Sequence, residues 1–322
     1  MSKVSCKRRS RWAVSVFSTI KHLYERFSRT EPRKKGMIRM PDFFITGDKH
    51  GEIEIKDLGV RCFPAGNILT KRDFVVILGD FGLLWGNPPK DSERYWMKWL
   101  SEKKWTTLVV DGNHENFDLF DSLPEEERWG GPVGVIAPDV YYLKRGYVYE
   151  IANKKVFVFG GGESIDRDGR IPGKSWWSRE LPSHEETERG FESLGRVGWK
   201  VDWVWTHAAP CRAFDHLMKN HYAVAHLQRE KKDDPVSRYL DELAGELEFS
   251  LWCFGRYHLQ SRPFEAGANG LFRAEYREVR PLSVSERMKK ALAANDFKEW
   301  KIDFDEMIED EGMNPKEPLG GW

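Results

Sequence analysis

Phe43-Phe44-Ile45-Thr46-Gly47-Asp48-Lys49-His50-Gly51 is an apolar, β-branched run closed by glycine and then by two side chains that can bind metal ions. Four later stretches repeat the pattern: Val75-Val76-Ile77-Leu78-Gly79-Asp80, Leu108-Val109-Val110-Asp111-Gly112-Asn113-His114-Glu115, Val201-Asp202-Trp203-Val204-Trp205-Thr206-His207 and Leu251-Trp252-Cys253-Phe254-Gly255-Arg256-Tyr257-His258. Such runs read as buried strands. In an open α/β sheet the ligand site lies outside the carboxyl ends of the strands, so polar residues far apart in sequence can converge there. The order Asp48, His50, Asp80, Asn113, His114, His207, His258 thus predicts one site of oxygen and imidazole donors, about the set that two hard divalent cations would need.

Around these runs the chain alternates helical and strand patterns and then turns β-rich. Helices are expected near 92–103, 117–122, 184–194, 212–219 and 236–247, several short strands between 133 and 160, and a last antiparallel piece at 270–279. That order fits two packed mixed sheets with helices outside. Gly160-Gly161-Gly162 follows a strand but lacks the Lys-Ser/Thr ending and the spacing of a nucleotide loop, so a tight turn at the site's rim is the better reading. The segment 163–177, with Asp166, Arg167, Asp168, Arg170, Lys174 and two tryptophans, reads as a solvated loop with aromatic anchors or as a cap that helps choose the substrate.

The blocks Asp48-x-His50, Gly79-Asp80, Gly112-Asn113-His114-Glu115, a lone His207 and Gly255-Arg256-Tyr257-His258 resemble those of the calcineurin-like metallophosphoesterase superfamily. Four of the five match fully, over roughly residues 43 to 260. Glu93 to Trp96, Asp111 to Asp118, and Ser175-Trp176-Trp177 followed by Glu180-Leu-Pro-Ser look like a bacterial or phage-borne branch. The Asp-Arg-Gly that follows the second block in protein Ser/Thr phosphatases is replaced by Phe81-Gly82-Leu83-Leu84-Trp85, which argues against a protein phosphatase. The resemblance implies a four-layer α/β/β/α sandwich of two mixed sheets and one or two divalent cations, with manganese, iron or zinc suiting the donors. It implies a first metal on Asp48, His50, Asp80 and His258 and a second on Asp80, Asn113 and His207, with Asp80 as bridge. A bridging carboxylate fits cations about 3.5–4 Å apart, which activate a water and clamp an in-line phosphoryl displacement. His114 is implied as general acid on the leaving oxygen. Asp111 or Glu115 are the carboxylates expected to orient its ring.

The sequence departs from the pattern at Arg256, where a second-metal histidine belongs. Arginine has no lone pair to offer and stays protonated. A guanidinium within about 4 Å of a divalent ion faces on the order of 8 kcal/mol of repulsion at an effective dielectric near 20. Three outcomes follow: Arg256 swings out to grip substrate phosphate in bidentate fashion, it replaces the second cation as a fixed charge, or the site is dead for catalysis. A fourth is that His221 or His226 supplies the missing ligand.

The function expected is metal-dependent hydrolysis of a phosphomonoester or phosphodiester, with a small-molecule or nucleotide substrate favoured. A phage-type nuclease is the alternative, with Lys49, Arg167, Arg170, Arg256 and Arg262 as a basic groove, although the net charge of zero weakens a nucleic-acid partner. A binding or scaffold module that kept the fold is the rival from another class, and Arg256 is its evidence.

Composition sets the outer bounds. At 322 residues, 40% hydrophobic and 32% charged, the chain is ordinary for a globular protein with one large core. No window approaches the roughly 20 apolar residues of a membrane span. Cys6, Cys62, Cys211 and Cys253 show no Cys-x-x-Cys spacing, which suits a reducing cytoplasm. Residues 1–40 are expected to be a basic, disordered extension, with Lys7-Arg8-Arg9 and Arg33-Lys34-Lys35 and no signal-peptide pattern. The metallophosphoesterase domain is placed at 41–282, and 283–322 is read as a helix and an acidic tail.

Overall fold

The computed structural model describes residues 39–220 and 234–294. Two sheets carry the fold. The seven-stranded sheet comprises β1 (Phe43–Thr46), β2 (Phe74–Leu78), β3 (Thr106–Val110), β4 (Glu125–Arg128), β5 (Gly131–Ala137), β6 (Val140–Leu143) and β12 (Arg280–Ser283), in the order β12-β1-β2-β3-β6-β5-β4. The five-stranded sheet comprises β7 (Tyr147–Ile151), β8 (Lys154–Phe159), β9 (Lys200–Thr206), β10 (Glu248–Phe254) and β11 (Asn269–Ala274), in the order β11-β10-β9-β8-β7. Neighbours are parallel from β1 to β6 through β2 and β3, and from β8 to β11 through β9 and β10. The remaining pairs, β12 with β1, β6 with β5, β5 with β4 and β8 with β7, are antiparallel.

Strand periodicity sorts the side chains into layers. Phe43 and Ile45 of β1, with Phe74, Val76 and Leu78 of β2, meet Val156, Val158, Trp203, Trp205 and Cys253 of the other sheet in a core between the sheets. Their alternates Phe44, Val75 and Ile77 point outward to Leu100 and Met288, while Phe157, Val204 and Trp252 point outward to Leu194, Leu217 and Leu240. Those outer partners lie on α1 (Asp91–Ser101) and α6 (Glu286–Ala294) over the first sheet, and on α3 (His184–Arg196), α4 (Cys211–Asn220) and α5 (Pro235–Glu246) over the second. The short α2 (Phe117–Phe120) follows the third block. The result is the mixed α/β architecture of two sheets, helices outside, that the sequence led us to expect.

Helix starts follow local chemistry. Ser183 caps α3 in a box with Glu186, and Asp234 caps α5 ahead of Pro235 at its first position. The last β segment differs from expectation. β11 runs parallel to β10, and the antiparallel pairing belongs to β12 on the other sheet. The loop 255–268 carries the chain back along the sheet before β11 begins, which a local pattern does not encode. Among the described residues no helix is long and apolar enough to cross a membrane.

Candidate active site

Parallel pairing puts the carboxyl ends of β1, β2, β3, β9 and β10 on one edge, and each delivers a polar residue within a few positions. Four of these residues have left-handed backbones without being glycine: His50 at φ 36, Asp80 at φ 46, Arg256 at φ 67 and His258 at φ 48. Such conformations are costly and persist where the surrounding structure holds them, and they gather at functional sites.

The side chains converge. Ligand atoms of Asp48, His50 and His258 lie within 4.8 Å of one another, and so do those of Asp48, Asp80 and His207. Asp80 stands between two groups, with Oδ2 3.4 Å from His50 Nε2 and Oδ1 3.5 Å from His207 Nε2. Its Oδ1 also accepts the backbone N–H of His114 at 2.8 Å. Asp48 Oδ1 accepts the backbone N–H of Arg256 at 2.8 Å, while Asp48 Oδ2 is buried and bonds His258. His258 Nε2 faces that oxygen from 3.1 Å as an ion pair. Two carboxylates buried side by side, as Asp48 and Asp80 are, are costly unless positive charge completes them. The donor set of Asp48, His50, Asp80 and His258 therefore fits a divalent cation.

Charge balance within the cluster is tight. Burial acts to raise Asp48 and Asp80, yet His207 and the other histidines hold both carboxyls below the ordinary range. Burial acts to lower His50, and its bonds to Asp80 and Glu54 outweigh that and lift it to about 11. His258 is raised by Asp48 against the effect of burial. His114 is held down, chiefly by burial.

The second group is differently furnished. His207 is fully buried; its Nδ1 donates to the Leu78 carbonyl at 2.8 Å, which turns Nε2 toward Asn113 Oδ1 at 2.9 Å. Arg256 does not swing out: its side chain is 4% exposed and Nη1 donates to Asn113 Oδ1 at 3.1 Å. His221 and His226 lie outside the described residues.

Several expectations change. Neither carboxylate proposed to orient His114 holds its ring. Glu115 accepts backbone N–H groups of Phe81 at 2.7 Å and of Gly82 and Gly112 at 3.2 Å, and burial pushes its pKa up to about 8. Asp111 is paired with buried Arg145 and accepts from the Tyr142 hydroxyl. Of the five residues suggested for a basic groove, Lys49 is fully buried and bonds the Arg277 carbonyl, and Arg256 is buried as well. Arg170 pairs with Asp166, and Arg167 lies over Trp176. The glycine run 160–162 is a close approach to the protein's own groups, since a Cβ at Gly162 would stand 1.9 Å from Arg256 Nη1. The loop 163–177 reaches the site: Ser164 Oγ accepts from Asn113 Nδ2 at 3.0 Å, and the charges of Arg170 and Asp166 act on His114.

The sequence reading missed the supports behind these groups. Ser164 Oγ donates to Glu180 Oε2 at 2.5 Å, Arg256 Nη2 donates to the Glu163 carbonyl at 2.6 Å, and Asp234 Oδ2 accepts from Glu163 N at 2.9 Å. Asp234-Pro235 at a helix start was the one visible cue.

A two-sheet α/β fold thus gathers at its strand ends an Asp/His cluster that could hold a metal ion. The chain belongs to the calcineurin-like phosphoesterase family, whose model matches residues 41–211. Among solved structures it is similar to phosphopantetheinyl hydrolase from Mycobacterium tuberculosis, at 13% identity and a TM-score of 0.39, covering 77% of this chain and 98% of that one. It is also similar to a sulfate thiohydrolase from Thermus thermophilus in complex with glycerol, at 10% identity and a TM-score of 0.35, covering 81% of this chain and 61% of that one. No curated protein matches the chain.

Proposed function

We propose that the protein is a metal-dependent phosphoesterase acting on a phosphomonoester or phosphodiester, small-molecule or nucleotide in kind. The observation that carries the reading is the cluster of Asp48, His50, Asp80 and His258 at the strand ends, two buried carboxylates each facing an imidazole. These four side chains would hold a cation, and oxygen with imidazole suits manganese, iron or zinc. When bound, such a cation lowers the pKa of a water and polarises a phosphoryl oxygen.

The chain's own residues supply the rest. Asp80 fixes the start of the His114 turn through the 2.8 Å bond to its backbone N–H. His114 then hydrogen-bonds or protonates the leaving oxygen, a role open to an imidazole close to the donors. Arg256, held at the Asn113 amide oxygen, would add fixed positive charge beside the donor cluster, the sign that a phosphate group requires.

One observation favours a second reading, a phosphoesterase fold that binds without turnover: Arg256 occupies the amide oxygen that a full two-metal site would use. Hydrolysis of a chromogenic phosphodiester and a chromogenic phosphomonoester, with Mn²⁺ and then with chelator, separates the two. Chelator-sensitive turnover by the parent supports the enzyme. A silent parent beside an active Arg256→His variant supports the binding module and sinks the proposal.

A further inference from the structure

The hydrogen bonds of Asn113 determine how many cations the site can take. Asn113 Oδ1 is the amide oxygen that a second cation would need. It accepts from Arg256 Nη1 at 3.1 Å, with His207 Nε2 on its other side at 2.9 Å. A flip would turn the amide nitrogen onto the Arg256 donor. The amide nitrogen donates to Ser164 Oγ, whose own proton goes to Glu180 Oε2.

The guanidinium is anchored. Nη2 donates to the Glu163 carbonyl at 2.6 Å and lies 3.5 Å from Asp234 Oδ2. Asp234 is itself fixed twice, by Glu163 N at 2.9 Å and by Val236 N at 2.8 Å, where it caps α5. Room for the group is built into the backbone, because any side chain at position 162 would collide with Nη1. With 4% exposure the guanidinium is no open fork for substrate; it is a fixed internal charge. Three groups that would surround a second ion, Asp80 Oδ1, His207 Nε2 and Asn113 Oδ1, stand together, and the fourth is a cation already.

We propose that the site takes one divalent cation, on Asp48, His50, Asp80 and His258, and that the Arg256 guanidinium, anchored by Asp234 and the Glu163 carbonyl, holds the place and supplies the charge of a second. The inference rests on the phosphoesterase reading, since it assumes the first cation. Arginine suits the substitution because it keeps its charge at every working pH and binds no metal. The arrangement makes the second positive charge permanent, independent of metal supply.

The test counts ions. Metal-stripped protein is dialysed against Mn²⁺ and the bound manganese per folded chain is measured for the parent and Arg256→His. One ion in the parent and two in the variant are expected. Two ions in the parent overturn this inference and leave the phosphoesterase reading standing, whereas none overturns that reading and this inference with it. One ion in folded Arg256→His shows that Arg256 is not what keeps a second ion out, and also overturns the inference. Should Arg256→His fail to fold, Arg256→Gln removes the charge with a shorter polar side chain. A second ion is expected there, and its absence likewise overturns the inference.

Discussion

Arg145→Met should be among the most damaging single changes outside the metal cluster. Arg145 and Asp111 are both buried, at 1% and 0% exposure. Arg145 Nε donates to Asp111 Oδ2 at 2.8 Å, and Nη2 bonds the same carboxylate and also the Arg179 carbonyl at 3.0 Å. Glu186 Oε2 lies 3.6 Å from Nη1. Methionine replaces part of the volume but leaves Asp111 charged, buried and held only by the Tyr142 hydroxyl at 3.2 Å. Stranding one partner of a buried ion pair costs about 3–5 kcal/mol. For a domain of this size that lowers Tm by on the order of 10 °C. Denaturant unfolding gives the loss directly, provided the m value is unchanged. Because Asp111 leads into Gly112-Asn113-His114, any hydrolytic activity should fall with stability. The double variant Asp111→Leu/Arg145→Met, which strands no charge, should lose less than Arg145→Met alone. A cost for Arg145→Met below about 1 kcal/mol would refute the claim that the buried Asp111 charge depends on Arg145.

Three further predictions concern other parts of the molecule. A Cβ at Gly112 would stand 2.0 Å from Asp80 Oδ1, so Gly112→Ala should displace that carboxylate and weaken metal binding by about 10–100-fold, read by titration calorimetry with Mn²⁺. Trp205 is fully buried between the sheets and its indole N–H has no partner among the described residues, so Trp205→Phe should cost less than about 1.5 kcal/mol and Trp205→Ala about 3–5, measured by denaturant unfolding. Burial pulls Lys103 down to about 7, against 10.5 when unfolded. Between those values the unfolded chain holds the extra proton, so this group makes the parent more stable as pH rises across that window. Lys103→Met lacks that rise, and its stability relative to the parent should fall between about pH 7 and pH 10.5. The Trp99 face 3.1 Å from Nζ favours the charged form, and a pH-independent difference would mean that this contact cancels the burial.

What the sequence made legible was short-range and periodic. The continuous apolar run at Phe43, Phe44 and Ile45 marked a buried strand, and Gly79-Asp80 or Thr206-His207 marked where a strand ends in a polar side chain. Asp48, His50, Asp80 and His258 stood out as candidates because each lies within a few positions of the end of such a run. The supporting residues did not, since their meaning lies in partners distant along the chain. Asp234 bonds Glu163 across 71 positions, and Arg145 bonds Asp111 across 34. Glu115 looked like a partner for the neighbouring His114, but its carboxylate satisfies the backbone donors of Phe81, Gly82 and Gly112. Direction was equally hidden: whether β11 runs with or against β10 depends on the path of 255–268. Arg256 was visible as a departure, and its anchoring by Glu163 and Asp234 appeared only in three dimensions.

Asp80→Asn tests the central claim most directly, because Asp80 faces His50 on one side and His207 on the other. Bound manganese and hydrolysis of a chromogenic phosphodiester should be measured on the parent and on this variant at equal folded concentration. The account predicts metal and chelator-sensitive turnover in the parent and loss of both in Asp80→Asn. Turnover that survives in the variant, or a metal-loaded parent that hydrolyses neither diester nor monoester, would contradict it.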